Sequence, residues 1–135
     1  MELTILSDPS NVRKVEDFIF ETCETFRLSD DDINALMIAV TEASNNAIHH
    51  GNHGDPSKTV KVSMILDGNS LTVSVSDQGK GFDPHSLPDP LAEENILKTS
   101  GRGVFLMKNI MKSVKYDFSP EGTTVTMLFH VSPVS

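Results

Sequence analysis

Apolar positions follow two rhythms along this chain. Between Asp8 and Phe26 the residues Val12, Val15, Ile19, Cys23 and Phe26 recur every three or four positions. That is the period of one buried helix face. Asp8 stands at the N-cap and Pro9 at the first helical position, where proline's missing N–H is harmless. A second helix is predicted from Leu28 to His50, capped by Ser29, with Asp32 three residues on as a capping-box partner. Gly51 and Gly54 end it. Elsewhere the rhythm shortens to two. Residues 2–6 and 58–66 read as strands. The Asp67-Gly68-Asn69 turn then reverses the chain into residues 70–77, where Leu71, Val73 and Val75 share one side. A third helix is predicted over 101–114. A short strand at 115–118, a turn at 119–122 and a strand at 123–131 close the chain.

Residues 77–100 fit neither rhythm. They contain Asp77, Gly79, Gly81 and three prolines, Pro84, Pro88 and Pro90. So long a segment inside a compact unit is functional or disordered. Helices followed by a hairpin, a glycine-rich loop, a helix and another hairpin predict an α+β two-layer sandwich.

The chain has 135 residues, which fits one domain over 1–135 with a real hydrophobic core. No apolar run is long enough to span a bilayer, and the N-terminus lacks the basic start and apolar run of a signal peptide. Cys23 is the only cysteine, so no internal disulfide forms, in keeping with a cytoplasmic location. The net charge of −8 argues against non-specific binding to nucleic acid or an anionic membrane. One segment runs against that charge. Lys98, Arg102, Lys108, Lys112 and Lys115 occur with no acid among them, which suits either a local anion site or a solvated basic helix face.

The second helix carries the densest chemistry. On a helical wheel Ile33, Leu36, Met37, Val40, Ala47 and Ile48 gather on one side. Glu42, Asn46 and His49 lie opposite, flanked by Asn45 and His50. Glu42 and Asn46 are neighbours at i,i+4. A carboxylate can take a proton, and an amide oxygen can ligate magnesium. A solvated polar face has the same composition. His49, His50 and His53 lack the spacing and partners of a zinc site. Asp77, Gly79 and Gly81 form D-x-G-x-G directly after a strand. Glycines there let backbone approach a ligand, and the aspartate can accept from an exocyclic amine. Ser100-Gly101-Arg102-Gly103 opens the third helix, a place suited to phosphate, with Lys98 and Arg102 adding charge. Each motif alone is also a common turn. No P-loop, dinucleotide fingerprint or nucleophile elbow is present.

Their order is more specific than any one of them. "EASNNAIHHGN", "DQGKGFDP" and "SGRGVFLMKNIMKSVKYD", followed by Gly122-Thr123, resemble the ATP-binding fold shared by gyrase, Hsp-type chaperones, histidine kinases and mismatch-repair ATPases. The likeness covers residues 30–131 and is strongest to the stand-alone bacterial anti-sigma factors with serine-protein kinase activity. It implies helices on one face of a mixed, mostly antiparallel sheet. It also implies ATP and Mg²⁺ as cofactors and assigns roles to matching residues. Glu42 is the implied general base and Asn46 the Mg²⁺ ligand. Asp77 is the implied adenine contact, helped by Gly81 and Thr123, with Gly79 also among the expected cofactor-binding residues. Gly101 and Gly103 are implied to hold phosphates beneath a lid over 84–100, and Lys98, Ser100 and Arg102 are expected among the cofactor-binding residues. The implied function is a cytoplasmic serine/threonine kinase in a partner-switching circuit. Its implied partners are a sigma factor and a small antagonist protein, and it is a possible homodimer. Two alternatives remain: an ATP-binding switch without catalysis, and an α+β interaction domain without a ligand.

Overall fold

The computed structural model describes residues 1–53, 55–79 and 107–132. The chain begins with strand β1 (Glu2–Leu6) and a 3₁₀ turn at Pro9–Asn11. The Asp8 side chain accepts from the Ser10 N–H, as an N-cap should. Helix α1 (Val12–Thr25) follows. It buries Val15, Ile19 and Cys23 along the expected stripe, and Thr22 beside them.

Helix α2 (Asp30–Asn46) starts at the expected cap, where the Ser29 hydroxyl accepts from the Asp32 N–H. The reciprocal half of the capping box is not made. The Asp32 carboxylate instead accepts from the Ser132 N–H at 2.7 Å and the Ser132 hydroxyl at 3.0 Å. It thus ties the start of α2 to a residue 100 positions away. Past Asn46 the helix widens into a single π turn, Ala47–Gly51.

The remaining strands are β2 (Thr59–Asp67), β3 (Ser70–Asp77), β4 (Ser113–Ser119) and β5 (Gly122–His130). They form one sheet in the order β1-β2-β3-β5-β4, and all four pairings are antiparallel. Register makes the two faces chemically distinct, because side chains directly opposite each other share a face. One row runs Leu3, Val62, Val75, Val125, Tyr116 across all five strands. The next apolar row on that face runs Met64, Val73, Met127, Val114. On the opposite face Glu2, Ser63, Ser74, Thr126 and Lys115 stand in line. Both helices cover the apolar face, where Leu36, Ala39, Val40 and Ile48 meet Val60, Val62, Leu71 and Val73 in one core. Each fully buried aliphatic side chain there contributes about 1.5–3 kcal/mol.

The third helix is shorter at its end than its pattern suggests. Residues 107–110 are helical, and Met107 and Met111, one turn apart, are buried. Ser113 and Val114 belong to β4, where Val114 pairs with Met127. A β-branched residue with a buried partner across the sheet gains more there than in a last helical turn.

Candidate functional site

The site is built where α2 ends and β3 ends. α2 brings Glu42 and Asn46, both half-buried, along the stretch leading to the π turn. Ser44, between them, is fully buried and donates to the Val40 carbonyl at 2.8 Å, so the polar positions of this helix divide between the core and a half-buried face. The Thr41 hydroxyl is buried and finds no hydrogen-bond partner among the described residues. The Asn46 amide makes no hydrogen bond among the described residues. Single π turns inside helices recur at functional sites, because one extra residue per turn shifts the side chains that follow. Here it delivers Gly51 against the end of β3.

Asp77 is the last residue of β3, and glycines surround it. A Cβ on Gly51 would overlap its carboxylate, one on Gly79 would overlap the Gly51 carbonyl, and one on Gly122 would overlap the Asp77 carbonyl. Gly122 also has φ +153, a backbone that side-chain-bearing residues rarely adopt. Within this cradle Asp77 Oδ1 accepts from the Gly79 N–H at 2.9 Å and the Thr123 N–H at 3.2 Å. Oδ2 receives no hydrogen bond among the described residues. Burial raises the Asp77 pKa above the usual carboxylate value. The two backbone N–H bonds and the charges of Lys58 and His53 pull the other way without reversing it. The result is a partly desolvated carboxylate with one oxygen fixed by two backbone N–H groups and the other making no hydrogen bond among the described residues.

Two residues that the sequence pattern did not single out complete the junction. Asn52 is fully buried. Its Oδ1 accepts from the Gln78 N–H at 2.8 Å, and its Nδ2 donates to the Thr59 carbonyl at 3.0 Å. Tyr116 lies on the helix-facing side of β4, stacked on Phe118 with ring centroids 6.4 Å apart. Its hydroxyl pKa is raised, first by burial and then by the charge of Glu42, which places that carboxylate within electrostatic range of the β4 edge. Asn52 sat in the quoted motif as one more polar residue after a glycine. Nothing local in the sequence marks it as buried.

Among the expected site residues, Asp77, Gly79 and Thr123 meet at the cradle, and Glu42 and Asn46 lie on α2, the helix that leads to it. Thr123 contributes its backbone N–H to Asp77. Gly81, Lys98, Ser100, Gly101, Arg102 and Gly103, and the lid expected over 84–100, lie outside the described residues. His49 and His53 are exposed.

A family model described as the histidine kinase-like ATPase domain matches residues 5–129. The anti-sigma F factor of Anoxybacillus flavithermus is 35% identical over 105 residues, spanning 76% of this chain and 72% of that protein. The serine-protein kinase RsbW of Bacillus licheniformis is also 35% identical over 105 residues, spanning 73% of this chain and 65% of that protein. Among solved structures, the RsbU and RsbW domains of a Mycobacterium tuberculosis protein superpose with a TM-score of 0.71 at 20% identity. The match covers 100% of this chain and 33% of that one, and it shows the shared fold.

Proposed function

The chain belongs to the histidine kinase-like ATPase domain family, and from that premise we propose that it is an ATP-dependent protein serine/threonine kinase acting as an anti-sigma factor. In this reading it holds a sigma factor in one state of a partner-switching circuit and phosphorylates a small antagonist protein in another. The observation that carries the reading is the Asp77 cradle. A carboxylate with one oxygen bound to two backbone N–H groups presents the other to a donor such as the exocyclic amine of adenine. The relatives' names, anti-sigma F factor and serine-protein kinase, supply the reaction class.

The remaining roles follow along α2. Asn46 and Glu42 lie on the helix that leads into the π turn packed on Asp77, and in this reading they would serve the phosphate end of the nucleotide. Among the described residues no group of three His, Cys, Asp or Glu side chains converges on a metal. Mg²⁺ would therefore be held by the Asn46 amide oxygen together with phosphate oxygens, the mixed ligation this cation favours. Bound there, it would neutralise charge on the transferring phosphoryl group. Glu42 takes the proton of the attacking serine hydroxyl. Gly81 joins Asp77 on the adenine side of the same proposal, and Lys98, Ser100, Gly101, Arg102 and Gly103 belong to its phosphate side, with the lid at 84–100.

Single-turnover transfer from γ-labelled ATP to the cognate antagonist tests the reading. Glu42→Gln keeps the side chain's shape and removes its basicity. It should leave ATP affinity nearly unchanged and slow transfer by about 10²–10⁴-fold, the usual worth of general-base catalysis. A wild-type rate in this variant would remove Glu42 from the chemistry. ATP binding with no transfer by the wild type to its true partner would leave a nucleotide-dependent switch without catalysis.

A further inference from the structure

The β2–β3 ladder ends at the pair Val60 and Asp77. The next rung in register would join Thr59 to Gln78, and the backbone does not make it. Asn52 makes it instead. Its side-chain amide stands between the two strands, accepting from the Gln78 N–H at 2.8 Å and donating to the Thr59 carbonyl at 3.0 Å. The Gln78 side chain closes the same rung by accepting from the Thr59 N–H at 2.8 Å. An inserted amide thus extends the ladder one step past Asp77. The Asn52 backbone N–H meanwhile donates to the Ala47 carbonyl at 2.8 Å, closing the π turn that lays Gly51 against the Asp77 carboxylate.

We propose that Asn52 is a positioning residue for base recognition: by fixing Gln78 it aims the Asp77 carboxylate. This rests on the reading that Asp77 receives the adenine amine. The geometry gives the reason. Gln78 lies at the centre of the turn in which Asp77 Oδ1 accepts from the Gly79 N–H at 2.9 Å. A shift of the Gln78 backbone moves both ends of that turn. With no Asn52 amide, the Gln78 N–H and the Thr59 carbonyl would each be left without this partner, and β3 would be released one residue from the recognising group. Asn52 is fully buried and does not need to touch the nucleotide.

A purely structural role and a positioning role separate in one ratio. Purine riboside triphosphate is ATP without the 6-amino group. The wild type should bind ATP about tenfold or more tightly than this analogue, the worth of one hydrogen bond to a carboxylate. Asn52→Ala should shrink that ratio to about threefold or less, because ATP loses affinity while the analogue has no amine to lose. Equal weakening of both ligands, with the ratio kept, would overturn the inference and make Asn52 a structural clamp only. If Asn52→Ala does not fold, Asn52→Ser is read in its place. Its shorter side chain cannot span both the Gln78 N–H and the Thr59 carbonyl, and the ratio should fall in the same direction; an unchanged ratio overturns the inference. Asp77→Ala is the control. A wild-type ratio near one, or one that Asp77→Ala leaves intact, would sink the adenine reading itself and the inference with it.

Discussion

Gly51→Ala asks the structure for a sign as well as a size. Gly51 sits in a helical turn, and its φ is not in the left-handed region. An alanine in such a place would ordinarily stabilise by about 0.5–1 kcal/mol. The cradle reverses that expectation. The added Cβ would overlap Asp77 Oδ2 and Cγ and lie 2.9 Å from Oδ1. The carboxylate would have to move, and in moving it would give up the Gly79 and Thr123 N–H groups. Overpacking and two lost charge-assisted hydrogen bonds outweigh the helix gain, leaving a net loss of about 3–4 kcal/mol. In a chain of 135 residues that lowers Tm by about 10–14 °C. Thermal denaturation followed by circular dichroism measures the shift, and calorimetry measures the accompanying loss of ATP affinity. Gly68→Ala is the control. Gly68 has φ +60 with nothing within 4 Å of an added Cβ, so it should cost about 1 kcal/mol of backbone strain and leave ATP binding alone. A Gly51→Ala protein that melts at or above the wild-type temperature would refute the close packing of the π turn on Asp77.

Three further outcomes are expected. Because Asp77 has a raised folded-state pKa, its contribution to stability is fullest below its unfolded value and declines as pH rises through the raised one. The Tm of Asp77→Asn relative to wild type should therefore improve between about pH 4 and about pH 7, while ATP affinity falls; a difference that shrinks over that range contradicts the burial argument. Asn46→Ala should weaken Mg·ATP about tenfold more than metal-free ATP, a difference near 1.4 kcal/mol. Titrations with and without EDTA report it, and equal losses would make Asn46 structural. Cys23 is fully buried, and its thiol pKa is pushed up to about 11, mainly by burial, with the charge of Asp32 adding to it. Thiol reagents should label it only at the rate of unfolding, and rapid labelling of the native protein would refute that packing.

The elements were legible where a single face decides them. Val15, Ile19 and Cys23 announce the buried stripe of α1, and Leu71, Val73 and Val75 the inward face of β3. The Ser29 cap and the Asp67-Gly68-Asn69 turn depend on local chemistry and also fall where the pattern puts them. What the pattern could not carry were choices made by distant partners. Asp32 reads as a capping-box residue, yet Ser132 offers it two donors. Ser113 and Val114 continue a helical period, yet Leu128 and Met127 await them across the sheet. The cradle was legible only in part. Asp77 and Gly79 stand out in sequence as a motif. Gly51 looks like a helix terminator and Asn52 like a surface asparagine, because their purpose lies in how closely β3 approaches the helix end.

The strand order has a consequence for how the sheet is assembled. Two hairpins, β2–β3 and β4–β5, are local in sequence. The pairing of β3 with β5 joins them across the whole stretch between Gly79 and Met107, setting Thr72 against Leu128. Folding must therefore close a long loop before the central strand is paired on both sides, which slows the rate-limiting step relative to forming either hairpin. The strand register on either side is fixed by side chains that do not belong to the connection. The cost of bringing the two hairpins together thus falls on the rate of folding, while the finished sheet is held by the side chains of its own strands.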